Sequence, residues 1–522
     1  MAEEKPKTLW SLYLILILVF INSANNGYDG SMFGSVLSFQ EFKDYFGINA
    51  QDTLTGRLAS IINVGNIIGG FAAMWVVDFR GRRFALVFGS VLIIIGAILQ
   101  GTTVGDTQLI VGRCIVGIGL PITVSAAPIF VAELSPPHIR GTLVGLYNCF
   151  WYAGSFLSRV TVVSLNDYVG DLKWRLPLFL QMTPSVIVVL TIWLLPESPR
   201  YLILKGRDEE ATRILAKYHA GGDENAEIVT SQVSEIKNAL AVEEATRPDS
   251  FSSSMRGLIQ ILSKKSDLHR LFVSTKIQHT KLKFKLIKIN QLAWMIAWYP
   301  GVSIISYYLS PMLTNAGITD SATQLWIGIG IDICSFLAAI TGSLFFVERF
   351  GRRKMALSAT FITVAAMLVM GLCTKATQDD DGNAVPNKTA TIFAVLAIYI
   401  VQIGFSGNWT PLQALYPTEI FNFSLRAKAA GITNVFWGTS GFLFNNVNPI
   451  GLGNLHWKYY MVQMVWNGVW IGFVYFLMVE TKGRTLEQLD ALFNKPNAVK
   501  ESLKAVEPDQ TYETSEKKVV VA

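Results

Sequence analysis

The chain has 522 residues, of which 51% are hydrophobic and only 16% are charged, and its mean hydropathy is +0.38. A soluble protein of this length carries nearer a quarter charged residues, so the composition excludes an ordinary soluble domain. The net charge of +6 does not indicate a nucleic-acid partner. The four cysteines all fall within apolar stretches, so we expect neither structural disulfides nor a metal site.

The apolar residues are grouped in blocks of about 18–25, the length that crosses a bilayer core. The alternating segments of about ten residues that would indicate a β-barrel are absent. We therefore predict an all-α polytopic membrane protein with twelve transmembrane helices. The predicted spans are 9–26, 58–77, 84–102, 107–131, 142–163, 176–195, 287–309, 325–347, 355–373, 391–415, 428–450 and 458–479.

Basic residues are concentrated on one side of the predicted spans. Lys5 and Lys7 precede span 1, "RGRR" (80–83) joins spans 2 and 3, and "RFGRRK" (349–354) joins spans 8 and 9. The positive-inside rule therefore predicts that both termini are cytoplasmic. Among three N-x-S/T sequons, Asn387 alone falls in an outer loop, so it is the one expected glycan site.

Three motifs occur twice in the same order, each at the cytoplasmic end of a span. The pairs are "VVDFRGRR" (76–83) with "FVERFGRR" (346–353), "AELSPPHIRG" (132–141) with "TEIFNFSLRA" (418–427), and "PESPRYL" (196–202) with "VETKGRTL" (479–486). The repetition predicts a duplicated six-span unit with two six-helix halves. The expected segments are a tail 1–8, a first half 9–195, a cytoplasmic linker with short helices 196–286, a second half 287–479 and a partly disordered tail 480–522.

The repeated motifs combine acids and arginines at tight glycine turns. Arginine can hold a carboxylate with two hydrogen bonds, so each set predicts a cytoplasmic network that stabilises one conformation and breaks in another. Simple anchoring of positive loops at the membrane surface is the alternative. The predicted members are Asp78, Arg82, Glu133, Arg140, Glu197 and Arg200 in the first half, and Glu348, Arg352, Glu419, Arg426, Glu480 and Arg484 in the second.

Seven motifs in chain order resemble the sugar porter family of the major facilitator superfamily. They are "GRCIVGIG" (112–119), the "P-x-x-x-A-E-L-S-P-P-H-I-R-G" run (128–141), "WRLPLFLQ" (174–181), "PESPRYL", the "ERFGRR" turn (348–353), "YPTEIF" (416–421) and "ETKGRTLEQL" (480–489). The stretch "ILAKYHAGGDENAEIV" (214–229) is similar to the fungal lactose permease-like branch. The resemblance implies the major facilitator fold and a plasma-membrane carrier for a mono- or disaccharide. It also implies a monomer that is not an enzyme and needs no cofactor or metal.

Two acids fall inside the predicted spans or at their ends. A charge at the bilayer centre costs at least ~2.5–3.5 kcal/mol, so each needs a reason. Asp29, in "GYDG", follows the apolar run of span 1, and the resemblance pairs it with Arg113 and implies proton coupling. Alternatively, Asp29 caps span 1 at the outer interface. Asp332, in span 8, is interpreted either as a sugar ligand or as a residue facing a water-filled cavity.

Sugar binding requires hydrogen-bonding groups for the hydroxyls and aromatic faces for the ring. The candidates are Asn26, Asn148, Tyr307, Asn434 and Asn445 for hydrogen bonds, and Trp409 and Trp437 as aromatic platforms. Position within the family pattern supports Asn148, Tyr307 and Trp437. A contact between helices is the alternative interpretation of each.

The segment before span 7 departs from the family pattern. "STKIQHTKLKFKLIKIN" (274–290) alternates lysines with apolar residues, as a basic amphipathic stretch at the membrane surface does. Either span 7 is divergent, or the segment is translated non-coding sequence that leaves the carrier impaired. Two further alternatives to proton-coupled uptake stay open: an uncoupled facilitator and a non-transporting sugar sensor, which is expected to need a longer tail than 480–522.

Overall fold

The computed structural model is helical throughout its regular elements, and no strand occurs among the residues it describes. The described residues are 8–37, 39–47, 53–136, 139–245, 305, 309, 312–314, 317–318, 320–377, 385, 387–420, 423–483, 492 and 498–503.

The first half contains eight helices, which form six rods of membrane length and one short outer helix. They are α1 (Thr8–Val36), α2 (Gln40–Phe46), α3 (Thr53–Phe79), α4 (Arg82–Gly101), α5 (Asp106–Leu134), α6 (Arg140–Ser164), α7 (Leu172–Leu180) and α8 (Thr183–Thr191), with a 3₁₀ turn at Ile192–Leu194.

Three short helices lie in the predicted linker, and the second half follows them. The linker helices are α9 (Pro199–Leu204), α10 (Asp208–His219) and α11 (Glu227–Ala245). The second half contains α12 (Ser321–Thr341), a π-helical turn (Gly342–Phe346), α13 (Val347–Phe350), α14 (Arg352–Ala376), α15 (Lys388–Asn408), α16 (Thr410–Ile420), α17 (Phe423–Leu455), α18 (Trp457–Leu477) and α19 (Ala498–Ser502).

Nine helical segments in the described part of the chain are long and apolar enough to cross a membrane. They are Trp10–Val36, Arg57–Val77, Arg82–Gly101, Asp106–Leu134, Leu172–Leu194, Ala322–Phe346, Arg352–Ala376, Lys388–Pro417 and Trp457–Leu477. The more polar α6 and α17 coincide with predicted spans 5 and 11. The seventh predicted span, 287–309, lies almost entirely outside the described residues.

The predicted bounds are wrong at two spans. Span 1 was predicted to end at residue 26, but α1 continues to Val36, and α17 (Phe423–Leu455) exceeds the predicted 428–450 at both ends. Spans 6 and 10 each comprise two consecutive helices, α7 with α8 and α15 with α16, whose junction residues keep helical dihedrals. The helices are longer than their apolar stretches because their polar residues face other helices, where hydropathy does not measure the environment.

The two halves meet mainly along two helices of the first half. Of these, α3 packs against α17, and α6 packs against α12 and α16. Small residues permit the close approach. A Cβ atom on Gly70 of α3 would lie 2.9 Å from the Gly431 carbonyl oxygen of α17. Within the first half, a Cβ on Gly154 of α6 would lie 1.7 Å from the Ala24 oxygen of α1.

Candidate functional site

The first of the two predicted acid–arginine networks forms where α3 turns into α4. The Arg82 guanidinium holds Glu133 at the end of α5 with two contacts, Nε to Oε2 at 3.0 Å and Nη2 to Oε1 at 3.0 Å. The backbone N–H of Arg82 donates to Glu197 Oε1 at 3.1 Å. Burial raises the pKa of the Glu197 carboxyl, although the N–H groups of Ser198 and Arg82 oppose this. One arginine thus joins three span ends.

The second half repeats this geometry at the turn before α14. Arg352 Nη2 donates to Glu419 Oε1 at 2.6 Å, and Arg352 Nε lies 3.1 Å from Glu419 Oε2. The backbone N–H groups of Arg352 and Arg353 donate to the two carboxylate oxygens of Glu480, at 2.9 and 3.1 Å. Thr481 adds a hydroxyl donor to Glu419 at 2.6 Å. The duplication therefore extends to individual hydrogen bonds.

Both turns require glycine. Gly81 has φ 90° and Gly351 has φ 82°, a region that L-residues with a side chain rarely adopt. A Cβ on Gly81 would lie 2.6 Å from Glu197 Oε2, and a Cβ on Gly351 would lie 2.6 Å from Glu480 Oε2. The absent side chains let each carboxylate reach the backbone N–H groups of the turn.

The structure describes only some of the remaining predicted members of the two networks. Arg140, the first residue of α6, interacts electrostatically with Glu133 and with Glu235 of linker helix α11. Sequence reasoning missed Glu235. Arg200 is half-buried in the first turn of α9. The side chains of Asp78, Glu348 and Arg426, and residue Arg484, lie outside the described part of the chain.

Asp29 lies inside α1 and is 4% exposed. It is seven positions before the end of the helix, so the alternative that it caps span 1 is wrong. The side-chain amide of Gln181 donates to Asp29 Oδ1. Arg113 of α5 lies close enough for its charge to act on Asp29, and its Cζ is 3.7 Å from the Phe33 ring centre. The predicted acid and arginine are thus brought together.

Gln181 was not among the predicted site residues, although it ends the quoted motif "WRLPLFLQ". It occupies the junction between α7 and α8 and is fully buried. The sequence feature that could have identified Gln181 as a site residue is that it is a lone amide within an apolar span.

A polar stripe runs along the face of α6 that meets the second half. Its members, spaced 4, 3 and 4 residues apart, are Asn148, Tyr152, Ser155 and Arg159, as expected for one helical face. At the cytoplasmic end, Asn148 Nδ2 donates to the Thr410 carbonyl and to Gln413 Oε1, both at 2.8 Å.

The next member of this α6 stripe, Tyr152, contacts both α15 and α16 of the second half. The Tyr152 hydroxyl lies 3.1 Å from Thr410 Oγ1 and accepts from Ser406 Oγ at 2.6 Å. The two halves are therefore hydrogen-bonded over successive turns of α6.

The outer end of the stripe holds a buried ion pair. Arg159 Nε lies 2.7 Å from Asp332 Oδ2, and Ser155 Oγ donates to the same oxygen at 3.0 Å. Ser155 Oγ also lies 2.7 Å from Ser31 Oγ of α1. Neither alternative for Asp332 included a salt bridge between the halves. Arg159 was missed because an arginine near the end of a span resembles an interfacial anchor.

The predicted sugar residues lie at or near the seam between the halves. Asn434 Nδ2 donates to Ser125 Oγ at 2.9 Å, and Asn445 Nδ2 donates to the Ala59 carbonyl at 3.4 Å. Trp409 is 4% exposed, and its indole nitrogen has no hydrogen-bond partner among the described residues.

The other sugar candidates are less informative. Asn26 of α1 and Trp437 of α17 are half-buried, and Tyr307 lies outside the described residues. At the predicted glycan site, Asn387 Oδ1 accepts from the Ala390 N–H and caps α15. A glycan would attach to the nitrogen of the same side chain.

Two helical halves with repeated acid–arginine networks, and polar side chains along their seam, define a polytopic membrane transporter. The chain matches the family model for sugar (and other) transporters over residues 15–493, and it belongs to that family. The predicted resemblance is thereby confirmed, and so is the expectation of a transporter and not an enzyme.

Known proteins of similar sequence and fold agree with this assignment. The MFS-type transporter oryC of Aspergillus oryzae is 29% identical over 495 residues, covering 94% of this chain and 87% of that protein. The high-affinity glucose transporter of Kluyveromyces lactis is 27% identical over 503 residues, covering 94% and 86%. The major facilitator proton:xylose symporter XylE of E. coli, solved with 6-bromo-6-deoxy-D-glucose, superposes with a TM-score of 0.74 at 21% identity, covering 93% and 99%. The predicted twelve-helix major facilitator fold is confirmed.

Proposed function

We propose that this chain is a proton-coupled sugar carrier of the plasma membrane, which takes up a mono- or disaccharide by alternating access. It acts as a monomer with both termini in the cytoplasm and with Asn387 on the outer side. The family supports a transporter, and a glucose transporter and a proton:xylose symporter among the similar proteins support sugar and protons as its substrates.

The observation that carries the proposal is the environment of Asp29. Its carboxylate is buried in α1, accepts from the neutral Gln181 amide and interacts with the charge of Arg113. A carboxyl group whose charged partner moves during a conformational change alters its proton affinity. Alternation between two arrangements of Asp29 and Arg113 would therefore bind a proton on one side and release it on the other.

The available driving force is sufficient for accumulation. One proton moving inward through 100 mV releases ~2.3 kcal/mol. A gradient of one pH unit adds about 1.4 kcal/mol. Together they can sustain a roughly 400-fold sugar gradient.

The sugar would bind along the seam at the predicted residues. Asn148 and Asn434 now bond groups of the opposite half, so sugar hydroxyls would replace neutral hydrogen bonds with others of similar strength. The unpartnered indole nitrogen of Trp409 offers a donor, and Trp437 offers an aromatic face. Asn26, Tyr307 and Asn445 complete the proposed set.

The proposed conformational switch is the pair of cytoplasmic networks. Arg82–Glu133 and Arg352–Glu419 lie at equivalent ends of the two halves, and each is strengthened by a second acid, Glu197 or Glu480. Separating the span ends would break several charge-assisted hydrogen bonds at once. Intact networks would therefore favour one conformation of the carrier.

The test is uptake of radiolabelled sugar by a transporter-null yeast that expresses Asp29→Asn. We expect accumulation and its pH dependence to be lost, while exchange of internal for external sugar continues. Asp106→Asn, the same change at an exposed acid at the start of α5, is the matched control. Competition by lactose, cellobiose, glucose and xylose identifies the sugar class.

The outcomes distinguish the alternatives. Accumulation that is unaffected by Asp29→Asn contradicts proton coupling and leaves an uncoupled facilitator. Signalling without any flux of the panel sugars identifies a sensor. A folded protein with neither flux nor signalling indicates a carrier impaired at span 7, and sequencing the messenger across 274–303 then decides between divergence and a misassigned coding segment.

A further inference from the structure

We propose that the Arg159–Asp332 ion pair is the outer gate of this carrier, a latch that holds the two halves together at their outer ends and opens to admit substrate. The inference rests on the alternating-access transport proposed above, but it does not depend on proton coupling. Arg159 belongs to α6 of the first half, and Asp332 belongs to α12 of the second. The two side chains are 10% and 3% exposed.

The pair lies at a depth suited to an outer gate. Arg159 is five residues before the outer end of α6, or about 8 Å along the helix, and its side chain reaches Asp332, which is eleven residues, or about 17 Å, from the start of α12. Asn148, whose amide bonds Thr410 of the second half, is eleven residues nearer the cytoplasm, or about 16 Å. One helix thus contacts the opposite half at two depths. Alternating access requires these inner and outer contacts to break in different states.

The two contacts differ in chemistry. The inner contact consists of neutral hydrogen bonds, whereas the outer one joins full charges. Opening toward the outside admits water, which solvates both charges as they separate. Neither Arg159 nor Asp332 is then left as an unpaired buried charge, which is the state that makes breaking such a pair costly. The ion pair therefore stabilises the outer-closed state and does not change the free energy of the outer-open state.

The second half has a glycine at the position against which the Arg159 guanidinium lies. A Cβ atom on Gly328, one turn before Asp332 in α12, would lie 2.6 Å from Arg159 Nη1. A glycine in a helix interior is unfavourable without a packing reason, and here the reason is the space that Arg159 occupies. This observation is independent of the ion-pair geometry, and both indicate a fitted site.

The latch is also joined to α1, which carries Asp29. Ser155 donates to Asp332 and lies 2.7 Å from Ser31, two residues after Asp29. Residues two apart face different sides of a helix. Asp29 therefore contacts Gln181 on one side of α1, while Ser31 contacts the latch on another. Movement of α1 is transmitted to both places.

The experiment measures the outer separation of the halves directly. Spin labels are placed at Val169→Cys, after α6, and at Ala322→Cys, at the start of α12, both of which are exposed. Distances are measured by double electron–electron resonance in the full-length protein in lipid nanodiscs. The native cysteines to be replaced in this background are Cys114, Cys149, Cys334 and Cys373.

Three variants are compared with the parent. We expect Asp332→Asn to move the equilibrium toward the longer outer distance by on the order of tenfold. Gly328→Ala, which keeps both charges but displaces the guanidinium, is expected to act in the same direction. Gly472→Ala in α18, where an added Cβ meets nothing within 4 Å, is expected to leave the distances unchanged.

Folding is controlled with Arg159→Met/Asp332→Leu, which leaves no unpaired charge. A folded double variant with a longer outer distance supports the latch. Parental distances in folded Asp332→Asn and Gly328→Ala, or in the double variant, overturn it. Because the distances do not depend on uptake, a shift in them alongside unaffected accumulation in Asp29→Asn refutes proton coupling and keeps the gate.

Discussion

The Gln181 side-chain amide donates a hydrogen bond to the Asp29 carboxylate, and it does so from the junction between α7 and α8. Gln181 keeps helical backbone dihedrals, with φ −52° and ψ −31°, and the N–H of Met182 donates to the carbonyl oxygen of Phe179, three residues back. The fully buried Gln181 amide meets the acid of α1 at this tightened turn. The coupling candidate thus depends on a residue of a neighbouring span.

Replacing Gln181 with Met removes this donor without changing the charge. A hydrogen bond to a charged group contributes ~1.5–3 kcal/mol, so its loss favours the protonated acid. We expect the pH of half-maximal accumulation to rise by roughly 1–2 units, measured as uptake across a series of external pH values. Gln40→Met, in the outer helix α2, is the control. A profile that stays in place, or moves down, contradicts this role.

Trp409→Phe tests the seam as a sugar site. The indole nitrogen is buried without a partner among the described residues, so it is available to donate to a sugar hydroxyl. Phenylalanine has no such donor, so the substitution should weaken sugar binding by about 0.5–1.5 kcal/mol. We expect KM for the transported sugar to rise roughly 2–10-fold, with little change in maximal rate. Trp193→Phe, at an 81% exposed position after α8, should leave KM unchanged. An equal effect in both variants would exclude a specific contact.

The two glycine turns predict matched losses of stability. Gly81→Ala and Gly351→Ala each force an unfavourable φ and place a Cβ against a carboxylate. We expect each to lower the free energy of unfolding by about 1–3 kcal/mol, seen as a lower Tm in detergent. Gly47→Ala has φ 61° but open space around it, so it should cost less. Equal losses of stability in all three variants would show that contact between the added Cβ and a carboxylate does not contribute to the loss.

The outer helix α2 supplies a pH-dependent contact outside the membrane. Lys173 Nζ lies 2.9 Å from Glu41 Oε1, and this hydrogen bond lowers the pKa of Glu41 from its usual 4.5. The contact therefore stabilises the fold above that value and is lost as the pH falls through the lowered pKa. We expect Glu41→Gln to lower Tm slightly at pH 7, by no more than ~1 kcal/mol in stability, and the difference to vanish toward pH 4. Glu224→Gln, on an exposed cytoplasmic loop, is the control; a difference that grows on acidification would contradict the sign.

The repeated motifs made much of the fold predictable. Arg82 and Arg352 follow the same glycine turn, and their acids recur in the same order along the chain, so the two networks could be anticipated from sequence. Arg113 could be paired with Asp29 because two buried charges need each other and because the family pairs them. Hydropathy located the spans because each contains a long run of apolar residues, whether these face the membrane or other helices.

The contacts between helices were less predictable. Span 1 was predicted to end before Asp29 because hydropathy treats a polar residue as facing water, whereas Asp29 faces Gln181. Arg159 was overlooked because an arginine near the end of a span resembles an interfacial anchor. The 4, 3, 4 spacing from Asn148 to Arg159 could have revealed the stripe, since polar residues on one face of a membrane helix indicate a protein-facing side. What spacing cannot give is the partner, because Asp332 is 173 positions away.

That separation has a consequence for how the protein is made. At about 5–20 residues per second, a ribosome needs roughly 10–35 s to reach Asp332 after it has added Arg159. During that interval the nascent first half carries a guanidinium that has no acid from span 8 to meet it. An arginine within a membrane span is expensive without a partner. We therefore expect the isolated first half to be less stable in the membrane than the same half in the complete chain.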